Sequence, residues 1–331
     1  MGVLSFALLV ALGTVLIAEF VNGWTDAANA IATVVSTGAL SPRTAIVMAV
    51  VFNVLGAMGG TAVAATVGRG IVAPSAMTLP AIIATMLSII AWGSVAAAVG
   101  IPVSKSHALL AGLAGAGLAG GGWEALQWTG WLKVGYGLIC SLGLGFCGAL
   151  LIGKLVIALS AGARPTPAKR SYDRLQLLSA AFMAYNHGLN DGQKFMGVFA
   201  LTMLAAGATD IFEIPFWIIL VCALTMGIGT SFGGWRIIKT VGVKMARISS
   251  WQGFAAQTSA SITIFGASHF GIPLSTTHTI TAAIVGASAS VRIYDVRWGV
   301  LRRIVLAWGL TFPFCTLLAF VAALIANRFF R

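Results

Sequence analysis

Polar positions are scarce along this chain, and where they fall decides its class. Long apolar stretches recur from end to end, at roughly 3–38, 44–67, 79–99, 105–121 and 132–159, then 175–206, 214–232, 251–270, 275–291 and 304–326. Most are long enough to cross a ~30 Å hydrocarbon layer as helices. They lack the charged face that a soluble helix turns to water. The pattern predicts an all-α polytopic membrane protein of about ten spans. Two stretches, 3–38 and 175–206, exceed one straight span. Each holds a glycine in a polar interruption, Asn22-Gly23 and His187-Gly188, which predicts broken or re-entrant helices.

Composition agrees. Hydrophobic residues make up 59% of the 331 and charged residues 8%, where a soluble domain carries roughly 25% charged. The 40 glycines suit close helix packing in lipid. A net charge of +12 raises the question of nucleic acid. The basic residues collect in loops between apolar stretches, however, without the aromatic interleaving of a strand-binding groove. The expected partner is the lipid bilayer, and no nucleic acid. Cys140, Cys147, Cys222 and Cys315 lie in apolar runs without Cys-x-x-Cys spacing, so neither a metal centre nor a disulfide framework is indicated. The first apolar run continues into Glu19, Asn22 and Asp26 with no basic segment before it, so it is not read as a cleavable signal.

Ala161–Arg174 contains Pro165, Pro167 and four basic residues, and it reads as a cytoplasmic linker. It separates a first membrane repeat, 1–160, from a second, 175–331. With both termini outside, the inward loops hold fourteen Lys and Arg residues, and the outward loops hold Arg69, Lys133, Arg328 and Arg331. That bias fits a multi-pass protein of the inner, cytoplasmic membrane. Five spans per half is an odd number, so the second repeat would be inverted.

Two motif pairs recur in the same order. Asn22-Gly-Trp-Thr-Asp26-Ala-Ala-Asn29 matches His187-Gly-Leu-Asn-Asp191-Gly-Gln-Lys194, and Ile101-Pro-Val-Ser-Lys-Ser-His107 matches Ile272-Pro-Leu-Ser-Thr-Thr-His278. Asp26 lies 81 residues before His107, and Asp191 lies 87 before His278. Two motifs in register, in opposed halves, are the mark of an inverted-repeat transporter.

The chemistry follows from residue type. A carboxylate at mid-bilayer costs roughly 2.5–3.5 kcal/mol and usually marks an ion path. Asn22, Asp26 and Asn29 fall on one helix face, as do His187, Asp191 and Lys194. The Ile-Pro-x-Ser motifs read as helix starts with Ser104 and Ser275 as N-caps. Ser106, Thr276 and Thr277 add hydroxyls in the first turn, where free amides and the helix dipole suit an oxyanion. A plain capped helix is the alternative for either motif alone. Lys194 is a counter-ion for Asp191, for an anion, or for both, and Lys105 faces either the anion or the cytoplasmic mouth. His107 and His278 read as structural hydrogen-bonders. Glu19 is either a coupling group or a lumen residue near the membrane edge. Gln257, Thr258, Ser259 and Ser261 either line the path or tie helices together.

These motifs resemble those of the inorganic phosphate transporter family, in which a Gly-x-Asn-Asp-x-x-Asn and a Pro-x-Ser-Thr-Thr-His segment occur once per half. Gly233-Gly-Trp-Arg-Ile-Ile-Lys-Thr-Val-Gly242 is similar to the bacterial branch. The resemblance implies cation-coupled phosphate uptake by alternating access. Ser104, Ser106, Ser275, Thr276, Thr277, Asn190 and Lys194 would face the substrate, and Asp26, Asn29 and Asp191 the coupling ion. The chain departs from the family pattern in three places. Thr25 replaces an Asn, Lys194 replaces an Asn of the sodium-dependent members, and Ser-Lys-Ser replaces Ser-Thr-Thr. An ammonium in place of an amide opposes a second cation. Proton coupling is therefore expected, through Asp26 or Asp191, with Asp26 the better candidate because it has no lysine at the matching position. A single sodium at Asp26 and Asn29 stays open, and no other cofactor is called for. A sulfate or thiosulfate permease of the same fold is the alternative, as is a sodium-coupled phosphate symporter. A homodimer is left open. An enzyme is not expected, because the polar motifs are duplicated and neither a metalloprotease helix nor a P-loop is present.

The loop charges give a direct test. A cysteine at Ala168 in a cysteine-free background should react with an impermeant maleimide from the cytoplasmic side. Reaction from outside only would overturn the inverted topology.

Overall fold

The computed structural model describes residues 5–162 and 164–329. The ends of the chain, including Arg331 of the loop count, and Ala163 of the linker lie outside the described residues. The described chain is all-helical, with two isolated antiparallel bridges, Val72 to Leu126 and Ala246 to Val296. The α-helices of the first half are α1 (Phe6–Ser36), α2 (Pro42–Ala57), α3 (Ala62–Arg69), α4 (Leu79–Val99), α5 (Lys105–Gly121) and α6 (Trp128–Leu159). Those of the second are α7 (Pro165–His187), α8 (Gln193–Ala205), α9 (Phe216–Phe232), α10 (Trp235–Lys239), α11 (Ser250–His269), α12 (Thr276–Ala289) and α13 (Trp298–Phe329).

Local sequence sets these boundaries. Ser5, Ser41, Thr78, Ser104 and Ser275 each accept an amide of the first turn of the helix they precede. Gly100, at φ +73°, ends α4 in the left-handed region that a side chain resists. Most of the expected linker is helix, because Pro165 opens α7. Its fixed φ suits a first turn, where its missing amide would have had no partner.

Two expectations are corrected. The first concerns the breaks. α1 runs unbroken through Gly23, and at Gly188 the chain widens into a π turn, Gly188–Gly192, between α7 and α8. These glycines permit close approach. A Cβ on Gly23 would sit 2.3 Å from Met226 O of α9, and one on Gly188 would sit 2.1 Å from Asn53 O of α2. The sharp bends lie elsewhere, 72° between α2 and α3 and 62° between α9 and α10. Gln193 Oε1 accepts the Val63 amide at 2.9 Å and so satisfies the new start at α3. The second concerns number. Among the described residues, four helices (α1, α4, α6 and α13) are long and apolar enough to cross singly, and the two bent pairs raise the count to six by length and composition. The stretches expected as spans at 105–121 and 275–291 form helices of 17 and 14 residues, shorter than the bilayer core at 1.5 Å per residue.

The two halves present their elements in one order: a long first helix or helix pair, a bent pair, a helix–loop–helix, and a 32-residue last helix. They do not pack as separate bodies. α5 lies along α13, and α12 lies along α6, so each half's short helix rests on the other half's last helix. Both apolar cores mix the halves. Leu109 and Ile82 share one with Phe195 and Cys315, and Ile31 and Ala149 share the other with Met183 and Ile284. Glycine makes the crossed contacts close. A Cβ on Gly115 of α5 would meet Thr316 O at 2.1 Å, and one on Gly286 of α12 would meet Phe146 O at 2.2 Å.

Gly115→Ala and Gly286→Ala should therefore each destabilise the fold by about 1–3 kcal/mol through overpacking. Gly143→Ala, with open space around its Cβ, should be neutral or slightly stabilising. Thermal unfolding of the purified variants in detergent checks the contrast. Equal midpoints for all three would contradict the crossed packing.

Candidate functional site

The two helix starts are built alike. Ser104 and Ser275 are extended residues whose Oγ atoms accept the amides of His107 and His278, each at 3.1 Å. Capping leaves the earlier amides of each first turn without intrahelical partners. The starts come together at the centre of the molecule, where the His107 and His278 rings lie 4.5 Å apart. His278 also stacks on Trp308 of α13 at 3.7 Å, and its Nδ1 lies 2.6 Å from Ser275 Oγ. His278 is the hydrogen-bonder its position suggested, whereas His107 packs through its ring against His278 and Phe312.

Between the starts lie the two aspartates. Lys105 Nζ donates to Asp26 Oδ1 at 2.6 Å, and Lys194 Nζ to Asp191 Oδ1 at 2.5 Å. Thr276 Oγ1 donates to Asp191 Oδ2 at 2.8 Å, and Thr277 Oγ1 to Asp26 Oδ2 at 3.5 Å. Lys194 also reaches Ser106 Oγ at 2.5 Å and Leu274 O at 2.8 Å. Asn29 Nδ2 donates to Thr276 and Thr277 at 3.2 and 3.0 Å. The pattern survives exchange of the halves. Each aspartate bonds the first helical residue of its own half's start and the second of the other's. Asn29 and Lys194, the matched third members of the stripe, both cross to the opposite start.

Every member of this cluster is at most 4% exposed. Charges sealed in this way persist only as close pairs. His187 completes the second pair. Its Nε2 lies 3.2 Å from Asp191 Oδ2, an ion pair when the imidazole is protonated, and its Nδ1 lies 3.1 Å from Asn53 Oδ1. Asn53 is held in turn by Thr230 at 3.0 Å.

Asp26, His187 and Asp191 present ligand atoms within 4.8 Å of one another, a spacing a metal ion could use. The donor set does not fit one. Each carboxylate already carries an ammonium, and Asn29 turns its amide nitrogen to the hydroxyls.

Most of the expected residues meet here: Asp26, Asn29, Asp191, Lys194, Ser106, Thr276 and Thr277. Ser104 and Ser275 stand at its edge as caps. Asn190 turns away and bonds Ser268 Oγ at 2.8 Å and Ile272 O at 3.3 Å, fixing the loop before α12. Gln257 ties Ala30 O to Ser179, and Ser259 bonds the backbone of α6, so that patch joins helices. Asp26 has no lysine at the matching position, as expected, but Lys105 supplies one from the other motif. Asn53 was missed, although it carries the one side-chain amide in the stretch 44–67 and so left a signal.

Lys105→Met should strand Asp26 in the core at a cost of about 3–5 kcal/mol, and Asp26→Asn in the same chain should recover most of it. Thermal unfolding of the single and double variants tests the pairing. A single variant as stable as the unsubstituted protein would mean that the pair is not ionised.

Comparison with known proteins places this arrangement. A family model described as "Phosphate transporter family" matches residues 22–169 and 157–319. A probable low-affinity inorganic phosphate transporter of Rhizobium meliloti (strain 1021) is 42% identical, over 98% of this chain and 99% of its own length. A protein of the same description from Bacillus subtilis (strain 168) is 38% identical, over 94% of this chain and 95% of its own. Among solved structures, a sodium-dependent phosphate transporter superposes with a TM-score of 0.83 at 24% identity, covering 98% of this chain and 100% of that one. That likeness is one of fold.

Proposed function

The chain belongs to the phosphate transporter family, and on that premise we propose that it carries inorganic phosphate across the inner membrane, coupled to protons, by alternating access between two inverted repeats. One observation carries the reading. The donors that suit a tetrahedral oxyanion (the hydroxyls of Ser106, Thr276 and Thr277 and the ammonium groups of Lys105 and Lys194) converge at two facing helix starts, and all of them bond to two carboxylates.

Phosphate and the carboxylates therefore compete for one donor set. An ionised Asp26 or Asp191 holds the donors and repels the anion. A proton on the carboxyl removes the charge and frees the hydroxyls and the ammonium for phosphate. Proton and phosphate then bind together for an electrostatic reason, which is the requirement of symport. Lys105 and Lys194 keep the site from welcoming a sodium ion, which favours protons although a solved relative in fold is described as sodium-dependent. Within this reading Ser104 and Ser275 hold the helix starts, and Asn190 positions the π turn that carries Asp191. The duplicated order of elements and the exchange-symmetric contacts support two inverted repeats, 1–160 and 175–331.

Uptake of labelled phosphate into proteoliposomes tests the proposal. Thr276→Ala should weaken phosphate binding about tenfold or more, since a hydrogen bond to a charged acceptor contributes about 1.5–3 kcal/mol. Thr209→Ala, on an exposed loop, should change nothing. An inward proton gradient without sodium should drive accumulation. Uptake that needs sodium and ignores the proton gradient would refute the coupling, and sulfate displacing phosphate at equal concentration would refute the cargo.

A further inference from the structure

Three carboxylates are buried along the first helix and the π turn: Glu19, Asp26 and Asp191. Two of them carry an ammonium, at 2.6 and 2.5 Å. Glu19 carries none. It is 0% exposed, and its single hydrogen bond is a long one, from Asn22 Nδ2 to Oε2 at 3.4 Å. Its Oε1 is buried without a partner, and so is Asn22 Oδ1.

An ionised carboxylate in that place would have neither water, counter-charge nor a good donor, and such burial is strongly unfavourable. Protonation supplies what the site lacks. A neutral carboxyl has one O–H to give, and Asn22 has an unfilled acceptor. A half-turn of the Asn22 amide brings Oδ1 to the position of Nδ2, and the assignment of the two atoms follows from the network around them. The charged and titratable groups around Glu19 are Asp26 on its own helix, Asp191 and Lys194 across from it, and Cys222 on α9. Lys194, the cation among them, is held by Asp191, Ser106 and Leu274 O. A sodium ion would need room and a shell of oxygens, whereas Glu19 is fully buried and the unpartnered acceptors beside it are few. A proton needs neither.

Position gives the group its use. Glu19, Asn22, Asp26 and Asn29 are spaced by three, four and three residues, one stripe along α1. A proton on Glu19 stands two turns from Asp26, the carboxylate that holds Lys105 and Thr277. We infer that Glu19 takes up the transported proton, as the neutral acid bonded to Asn22, and passes its effect to the phosphate site along this stripe. The inference rests on the proton-coupled reading above and adds the residue that takes up the proton before it acts at Asp26 or Asp191.

The test uses the full-length protein in proteoliposomes. An inward gradient of one pH unit should concentrate phosphate about tenfold per coupled proton. Glu19→Gln should lower accumulation to the level seen without a gradient and flatten the pH profile of uptake, while phosphate–phosphate exchange persists. Gradient-driven accumulation by Glu19→Gln equal to that of the unsubstituted protein would overturn the assignment. So would a sodium-driven uptake that this variant abolishes, which would place sodium at Glu19. If the unsubstituted protein accumulates phosphate under neither gradient, the transport reading itself fails. Should Glu19→Gln lose exchange as well, infrared spectroscopy decides. A protonated-carboxyl band that shifts in Glu19→Asp supports the inference, and absence of such a band from the unsubstituted protein overturns it.

Discussion

The structure depends on two ammonium–carboxylate contacts sealed in an apolar bundle. A lone charge at this depth would cost a large share of a typical fold's stability. Pairing removes most of that cost, but only at short range and with the remaining lone pairs satisfied. The neighbouring geometry follows from this requirement. Two capped helix starts must face each other to bring Lys105 and the threonines to the aspartates. The stripes on α1 and on the π turn must lie between them. The π turn widens the helix at Asp191 and lets that carboxylate meet Lys194, His187 and Thr276 together.

The packing that holds these charges is made of very small residues. Gly23 and Gly188 bring α9 and α2 against the stripes, and Gly115 and Gly286 bring the last helices against the two starts. In lipid, helices gain little from hydrophobic burial against one another, so close backbone contact carries the association. Polar centre and glycine contacts are thus one design. The former fixes which helices meet, and the latter let them meet closely enough for hydrogen bonds near 2.5–2.8 Å.

Much of this was legible in the sequence, for physical reasons that differ by residue. The membrane class followed from missing charge. The caps at Ser104 and Ser275 followed from local chemistry and are present. The duplicated motifs predicted that Asp26, Asn29, Asp191, Lys194 and the hydroxyls would meet, and they do. Lys105 was misjudged because its partner lies 79 residues away, and matching position to position within one motif hid a pairing between motifs. The bends were placed at Gly23 and Gly188 because sequence does not separate a glycine that breaks a helix from one that admits a neighbour. Hydropathy likewise does not separate a span from a short helix buried by protein, and that inflated the count at 105–121 and 275–291.

The crossed arrangement of α5 on α13 and α12 on α6 also bears on how the molecule is made. α5 ends at Gly121, and α13 begins at Trp298. At 5–20 residues per second, the ribosome takes roughly 10–35 s to deliver the helix on which α5 rests. During that interval the first start is held without its covering helix, with Lys105 and Ser106 facing lipid, insertion machinery or a chaperone. The contact of α5 with α13 thus forms long after α5 itself is made. The bundle therefore cannot close half by half, and its assembly waits on α13.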